Sequence, residues 1–285
     1  MREKRILPRS LAPLLLCLFL LMGCVTTAVP PTSIPLIPTA PPLLPTPTLM
    51  PASPTPSADS GWQSLRPGLE QRTLALFDAG GTLQERVTAL RLDPALFDMR
   101  IAYHPGSPQP LVDWQTETGA LLLVNGGFFT PEYVATGLIV VDGEASGISY
   151  EGFGGMLAVT ANSVEVRALA ERPYSPDESL QFALQSFPML VKEGAAAYAE
   201  EDAQTARRTA VGVDEDGRLL FIIAPLGGFT LHQFSQFLAE GEWGLVSALN
   251  LDGGTSTGLL LADPPLNIPA FVPLPVVIAV DAINN

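Results

Sequence analysis

Thiols and positive charge are what this 285-residue sequence has least of. Its two cysteines, Cys17 and Cys24, both lie at the N-terminal end, so the remainder of the chain has no thiol to form a disulfide or bind a metal. His104 and His232 stand far apart without an H-x-x-x-H spacing, and form no metal constellation. Fifteen bases oppose 29 acids, a net charge of −14. Such a surface repels nucleic acid, because phosphate binding depends on clustered Lys and Arg. The apolar run at residues 11–22 is interrupted by Pro13 and falls short of the roughly 20 residues a transmembrane helix needs.

What is present begins with a leader. Arg2, Lys4, Arg5 and Arg9 outnumber Glu3 ahead of that apolar run, a basic region followed by a short hydrophobic one, which predicts an export signal. The run ends in Leu21-Met22-Gly23-Cys24, which resembles a bacterial lipobox, where cleavage precedes the cysteine and its sulfur receives a diacylglycerol. Residues 1–23 are therefore expected to be a lipoprotein signal peptide and Cys24 the lipidation site. The product would be an exported lipoprotein, held by more than one acyl chain on the outer face of the bacterial cytoplasmic membrane or at the cell surface. Residues 25–60 contain eleven prolines and no charge before Asp59. Proline at this density prevents helices and sheet ladders, so residues 24–60 read as a semi-rigid Pro/Thr-rich tether, about 110 Å long if fully extended.

From residue 61 to 285 no further low-complexity break occurs, and this length suits one globular domain. Alternating or short apolar segments predict strands at 69–77, 86–92, 99–103, 121–124, 137–141, 156–160, 164–169, 209–213, 218–224 and 245–251. Asp142-Gly143, Ala161-Asn162 and residues 214–217 supply hairpin turns. Helical spacing of Leu231, Phe234, Phe237 and Leu238, with Thr230 and Gln233 as a capping box, predicts one helix. The expected class is α+β: mixed, largely antiparallel sheets with a few packed helices.

The chemistry-bearing stretch is Asn250-Leu-Asp-Gly-Gly-Thr-Ser-Thr-Gly258. A strand runs into Asp252, then Gly253 and Gly254, whose freedom at positive φ lets backbone approach a ligand, then Thr255, Ser256 and Thr257, whose hydroxyls lie beside the carboxylate. This is the make-up of a loop that grips an oxygen-rich ligand, although D-G is also an ordinary turn signal. A second strand ends in Asn125-Gly126-Gly127-Phe128-Phe129, and an amide flanked by aromatics suits a sugar. Arg207 and Arg208 open a third strand in a chain whose exported part has ten arginines and a single lysine, Lys192. Alternation sends them to opposite faces, so that one can clamp a phosphate. Gln185-Ser186-Phe187-Pro188 is a polar pair ahead of a proline.

In order, Asn125-Gly-Gly-Phe-Phe, Gln185-Ser-Phe-Pro-Met-Leu, Arg208-Thr-Ala-Val-Gly, Gly228-Phe-Thr-Leu and Asn250-Leu-Asp-Gly-Gly resemble the motifs of the phosphodiester glycosidase domain family. The resemblance covers most of residues 61–285. It implies hydrolysis of the bond between a sugar anomeric carbon, N-acetylglucosamine or similar, and a phosphodiester, with no cofactor. It also implies Asp252 as acid/base or nucleophile, Arg208 as phosphate clamp, and Asn125, Gly126, Gly127, Gln185, Gly253, Gly254, Thr255 and Ser256 as substrate binders. Glycoside cleavage commonly uses a second carboxylate, and Glu85, Asp93, Glu132 and Asp214 are available. The expected partner is a sugar-phosphodiester, carried on a cell-envelope polymer. Three departures from the family's pattern stand out: Phe187 replaces a usual glycine, Thr255 a frequent third glycine, and A-F-V-P-L-P at residues 270–275 a Val-Pro-Asn setting. The alternative reading is a noncatalytic surface module that binds glycan or a teichoic-acid-like polymer. Asp-Gly-Gly-Thr also resembles the phosphate loop of actin-like sugar kinases, but there it belongs to the first hairpin and here it lies near the C-terminus.

Overall fold

Period-two alternation of apolar side chains lets one face of a strand bury while the other meets a different layer. The computed structural model describes residues 58–283, and the expected strands are present in it as Leu69–Phe77, Leu83–Leu92, Phe97–Tyr103, Leu122–Asn125, Ile139–Val141, Gly155–Val159, Val164–Ala168, Ala206–Asp214, Leu219–Phe229 and Leu245–Asn250. The expectations for a signal peptide at residues 1–23, for lipidation at Cys24 and for all but the end of the tether lie outside the described residues. Strand pairing begins slightly earlier than residue 61: Ala75 N donates to the Ala58 carbonyl, and Arg72 Nε donates to Asp59 at 3.0 Å.

The strands form three sheets. The largest has eight, in the order Gln63–Arg66, Leu69–Phe77, Leu83–Leu92, Leu219–Phe229, Ala206–Asp214, Leu245–Asn250, Met189–Lys192 and Ala195–Ala196. A second runs Glu144–Ser146, Ile139–Val141, Phe182–Ser186, Gly155–Val159, Val164–Ala168. The third runs Leu266–Ile268, Leu259–Leu261, Leu122–Asn125, Val276–Ala282, Phe97–Tyr103. All three contribute to one apolar core, which includes Leu90, Leu122, Leu157, Phe221, Leu249 and Ile278.

Two α-helices cover outer faces. Leu231–Glu240 carries both halves of the expected capping box, and buries Phe234 and Leu238 with Phe229 and Trp243 against the large sheet. Leu111–Thr118 was not expected. It lacks a side-chain N-cap, contains two threonines and buries only Leu111 and Trp114, so its sequence signal is faint.

The expected balance of classes needs correction. Eighteen strands face two α-helices among the described residues, and every strand pair described is antiparallel. The described residues form a single, predominantly antiparallel sheet domain. Strands of three residues such as Leu259–Leu261 and Leu266–Ile268 are too short to show a period, which hid part of the sheet content.

Candidate active site

Three strands, one from each sheet, end at the same place: Leu245–Asn250, Leu122–Asn125 and Phe182–Ser186. Just past the first of these the chain leaves the large sheet, makes a single 3-10 turn at Gly254–Ser256 and enters the third sheet at Leu259. Asp252 sits at this crossing. Its backbone N–H donates to the Gly126 carbonyl at 3.1 Å and its own carbonyl accepts from Asn125 Nδ2 at 2.7 Å. The carboxylate accepts from Gly253 N at 2.9 Å and from the Ser256 hydroxyl. Burial is the larger effect: desolvation of the charged form outweighs both hydrogen bonds and raises the Asp252 pKa from 3.8 to about 6.

The two glycines behind Asp252 serve different purposes. Gly254 has φ +59° with open space at its Cβ position, the backbone freedom that was expected. Gly253 has φ −117°, so it is not there for a left-handed backbone. A Cβ at 253 would lie 2.8 Å from the Arg207 carbonyl, and the close approach of the loop to strand Ala206–Asp214 excludes a side chain. Thr255 is exposed and its side chain is available to a ligand, whereas Ser256 is buried against Asp252.

Asn125 and Gln185, expected as substrate binders, have their side chains engaged in positioning backbone and neighbouring loops. Asn125 is fully buried. Its Oδ1 accepts from Thr209 Oγ1 at 2.8 Å and Gly258 N at 3.1 Å, while Nδ2 donates to the carbonyls of Asp252 and Gly126. Two donors and two acceptor sites are the amide's full capacity, so none remains for a sugar. Gln185 Oε1 accepts from Leu138 N and Tyr150 N, and its Nε2 donates to Ser149 Oγ at 2.8 Å. It is likewise buried, and fixes the loop that carries Tyr150. Gly126 and Gly127 are also interior: a Cβ would meet Val276 at the first and the Gln185 carbonyl at the second, each at 2.8 Å, so both permit close packing and neither presents a free surface.

Arg208 lies across from the Asp252 loop. Ala210 pairs with Asn250, and Leu251 N donates to the Thr209 carbonyl, so continuing the register brings residue 208 level with residue 252. Its guanidinium is nearly buried: Nε donates to the Phe229 carbonyl at 3.2 Å and Nη2 to the Gln204 carbonyl at 2.8 Å. Burial lowers its pKa, with Asp202 and Tyr198 opposing. Arg208 and Asp252 form no ion pair, and with two nitrogens committed the bidentate clamp expected of Arg208 is unavailable in this conformation. Arg207 takes the opposite course, its ring contact lying over Phe271 at 4.1 Å and its Nε and Nη2 held by the Pro225 and Pro269 carbonyls.

The four carboxylates considered as partners are elsewhere engaged or exposed. Glu85 is buried and accepts from the backbone of Arg86, Leu226 and Gly228. Asp214 accepts from Arg218 Nε and two backbone N–H groups, Asp93 caps Ala95 N, and Glu132 is solvent-exposed. Leu274, one of the departures from the family pattern, is a packing residue: it is buried with Trp114 and Val277, and its carbonyl accepts from Trp114 Nε1. Ser186 Oγ, Asn250 Oδ1 and Thr257 Oγ1, named in the sequence only as members of the Q-S, N-L-D and T-S-T motifs, are buried and without a partner. Thr209, which had no expected role beyond its strand, completes the Asn125 network.

The sequence profile of the phosphodiester glycosidase family matches residues 118–280. No curated protein matches the chain at significant similarity. Among solved structures, the fold is similar to the catalytic domain of zebrafish N-acetylglucosamine-1-phosphodiester α-N-acetylglucosaminidase auto-inhibited by its pro-peptide, at 19% identity and a TM-score of 0.59, covering 77% of this chain and 85% of that one. It is also similar to a hypothetical protein from Synechocystis, at 16% identity and a TM-score of 0.55 over 76% of this chain; the alignment spans 62% of the Synechocystis protein. The matched segment takes in Asn125, Gln185, Arg208 and Asp252 and more than half of the sequence, and the chain therefore belongs to the phosphodiester glycosidase family of hydrolases.

Proposed function

We propose that this domain hydrolyses the bond between the anomeric carbon of a sugar, N-acetylglucosamine or a close relative, and a phosphodiester. The observation that carries this reading is Asp252: a half-buried carboxylate with a pKa raised to about 6, on a loop fixed by Asn125 and followed by the accessible Thr255. At neutral pH most of this group is ionised, suited to activating water or attacking the anomeric carbon, and enough is protonated to return a proton. A phosphodiester leaves as a weak base, so the second carboxylate of ordinary glycosidases is less needed, and positive charge nearby stabilises the departing anion. Arg208 supplies it through Nη1, or through the whole guanidinium if the loop at Gln204 withdraws. We further propose that Cys24 carries the lipid anchor and residues 25–57 the tether to an envelope polymer; incorporation of labelled palmitate, lost in Cys24→Ser, tests that part.

Release of free sugar from an N-acetylglucosamine α-1-phosphodiester by the purified protein tests the activity, with Asp252→Asn and Arg208→Ala beside it. Turnover lost in Asp252→Asn and reduced in Arg208→Ala supports the proposal. Binding without turnover, unaltered in Asp252→Asn, favours a noncatalytic glycan-binding module instead.

A further inference from the structure

We propose that Phe128, Tyr150, Phe153 and Phe187 form a stacking subsite for a second, uncharged pyranose ring of the substrate, beside the Asp252 loop. This rests on the reading of the site as a sugar-phosphodiester hydrolase. Phe187 is the centre of the group: its ring stacks on Phe128 at 4.5 Å and meets Tyr150 and Phe153 edge-on at 5.6 and 5.9 Å. Tyr150 and Phe153 are themselves 4.9 Å apart. Unlike Phe221 and Phe234, which are fully buried, Phe187 and Phe153 are 37% and 51% exposed. Phe77 and Phe271 are exposed too, at 54% and 66%, but neither touches another ring among the described residues, whereas here four rings gather into one open patch, and a contiguous apolar patch marks a surface with an occupant.

The cluster is fixed to the same strand ends as the carboxylate. Phe128 follows Gly126-Gly127, whose first carbonyl holds Asp252 N. The Phe187 carbonyl accepts from Asn250 Nδ2 at 2.8 Å, and Tyr150 N is held by Gln185. Polar atoms border the rings: the Tyr150 and Thr136 hydroxyls are 2.6 Å apart, and Ser186 Oγ and Asn250 Oδ1 are buried without partners next to Phe187. Apolar faces with hydroxyl-bonding groups at their edge match a pyranose, which presents C–H groups on its faces and hydroxyls around its rim. No Lys or Arg is among these residues and the chain is strongly acidic, which disfavours a second phosphate as the occupant. Phe187 is the one ring that Phe128, Tyr150 and Phe153 all touch, so without it the other three lose their common contact.

The test is calorimetric titration of the full-length protein with chitotriose, a neutral N-acetylglucosamine trimer free of phosphate. The expected result is saturable binding, retained in Asp252→Asn, weakened about tenfold in Phe187→Gly and less in Phe153→Ser, and restored in Phe187→Tyr. Equal affinity in the native protein and Phe187→Gly, or no binding by the native protein, would overturn the proposal. So would a concentration-dependent dimer abolished by Phe187→Gly, since the patch would then be a self-interface. If no diester is cleaved yet the binding falls in Phe187→Gly and returns in Phe187→Tyr, the hydrolase reading fails and the subsite stands.

Discussion

Replacing Asp252 with Asn should stabilise the fold at neutral pH while it abolishes turnover, and the stabilisation should disappear on acidification. The folded-state pKa of about 6 lies above the unfolded value of 3.8, so the folded protein holds this proton more tightly than the unfolded chain. A carboxyl of that kind imposes no penalty when both states are protonated, and an increasing one as pH rises through the interval between the two values. With about 1.4 kcal/mol per pKa unit, the penalty is about 3 kcal/mol near pH 7.5 and about 1 kcal/mol near pH 4.5. Asn carries no charge and escapes it, but loses part of the bonding to Gly253 N and Ser256, worth about 1 kcal/mol each and independent of pH over this range. Urea unfolding of both proteins at the two pH values cancels every other titrating group in the difference. That difference, variant minus native, should fall by about 2 kcal/mol from the higher to the lower pH. A pH-independent difference would refute the claim that burial in the fold raises this pKa.

Three further outcomes follow from the same geometry. Asn125→Ala leaves Thr209 Oγ1, Gly258 N and two carbonyls unsatisfied in the interior, and should cost at least about 3 kcal/mol by urea unfolding, more than Thr209→Val, which empties one bond. Gly253→Ala forces a Cβ onto a backbone carbonyl and should lower the melting temperature more than Gly254→Ala, whose positive φ costs about 1–2 kcal/mol in open space; the reverse order would contradict the roles assigned to them. Thr230→Ala removes the helix cap and the bond to Glu201, and should cost about 1–2 kcal/mol in the same assay with the helix otherwise retained by circular dichroism.

Much of this was legible in the sequence because it was local. The strand 69–77 and the helix with its Thr230–Gln233 box are written in neighbouring residues, and the structure places them where the pattern does. The order of the five motifs likewise pointed to the family. What could not be read was which polar groups were already spent. Asn125 is saturated by Thr209 and Gly258, 84 and 133 residues away, and Gln185 by a loop that only the fold brings near. Gly253 and Gly254 look alike in sequence; one answers a steric demand from a different strand and the other a torsional one. Leu274 drew notice as a missing polar residue and belongs to the core beneath Trp114.

The site's polar residues are arranged by the needs of strand ends before those of a ligand. Where a strand leaves its sheet, the ladder stops and backbone groups lose their partners. Here three strands stop together, and two side-chain amides replace the missing ladder: Asn125 joins the large and third sheets, and Gln185 ties the second sheet to the Tyr150 loop. The network holds the backbone of Asp252 from both sides, through Gly126 and Asn125, while its carboxylate is left with only Gly253 N and Ser256 against the desolvation that burial imposes. Rigid backbone and a poorly compensated charge are what a reactive carboxylate requires. It follows that the N-G-G and Q-S motifs record how the crossing is built, and a chain could keep them with its fold while lacking activity. The discriminating residue is Asp252 itself, since its exchange for Asn leaves the bonds of its own N–H and carbonyl to Gly126 and Asn125 in place and removes the group that titrates.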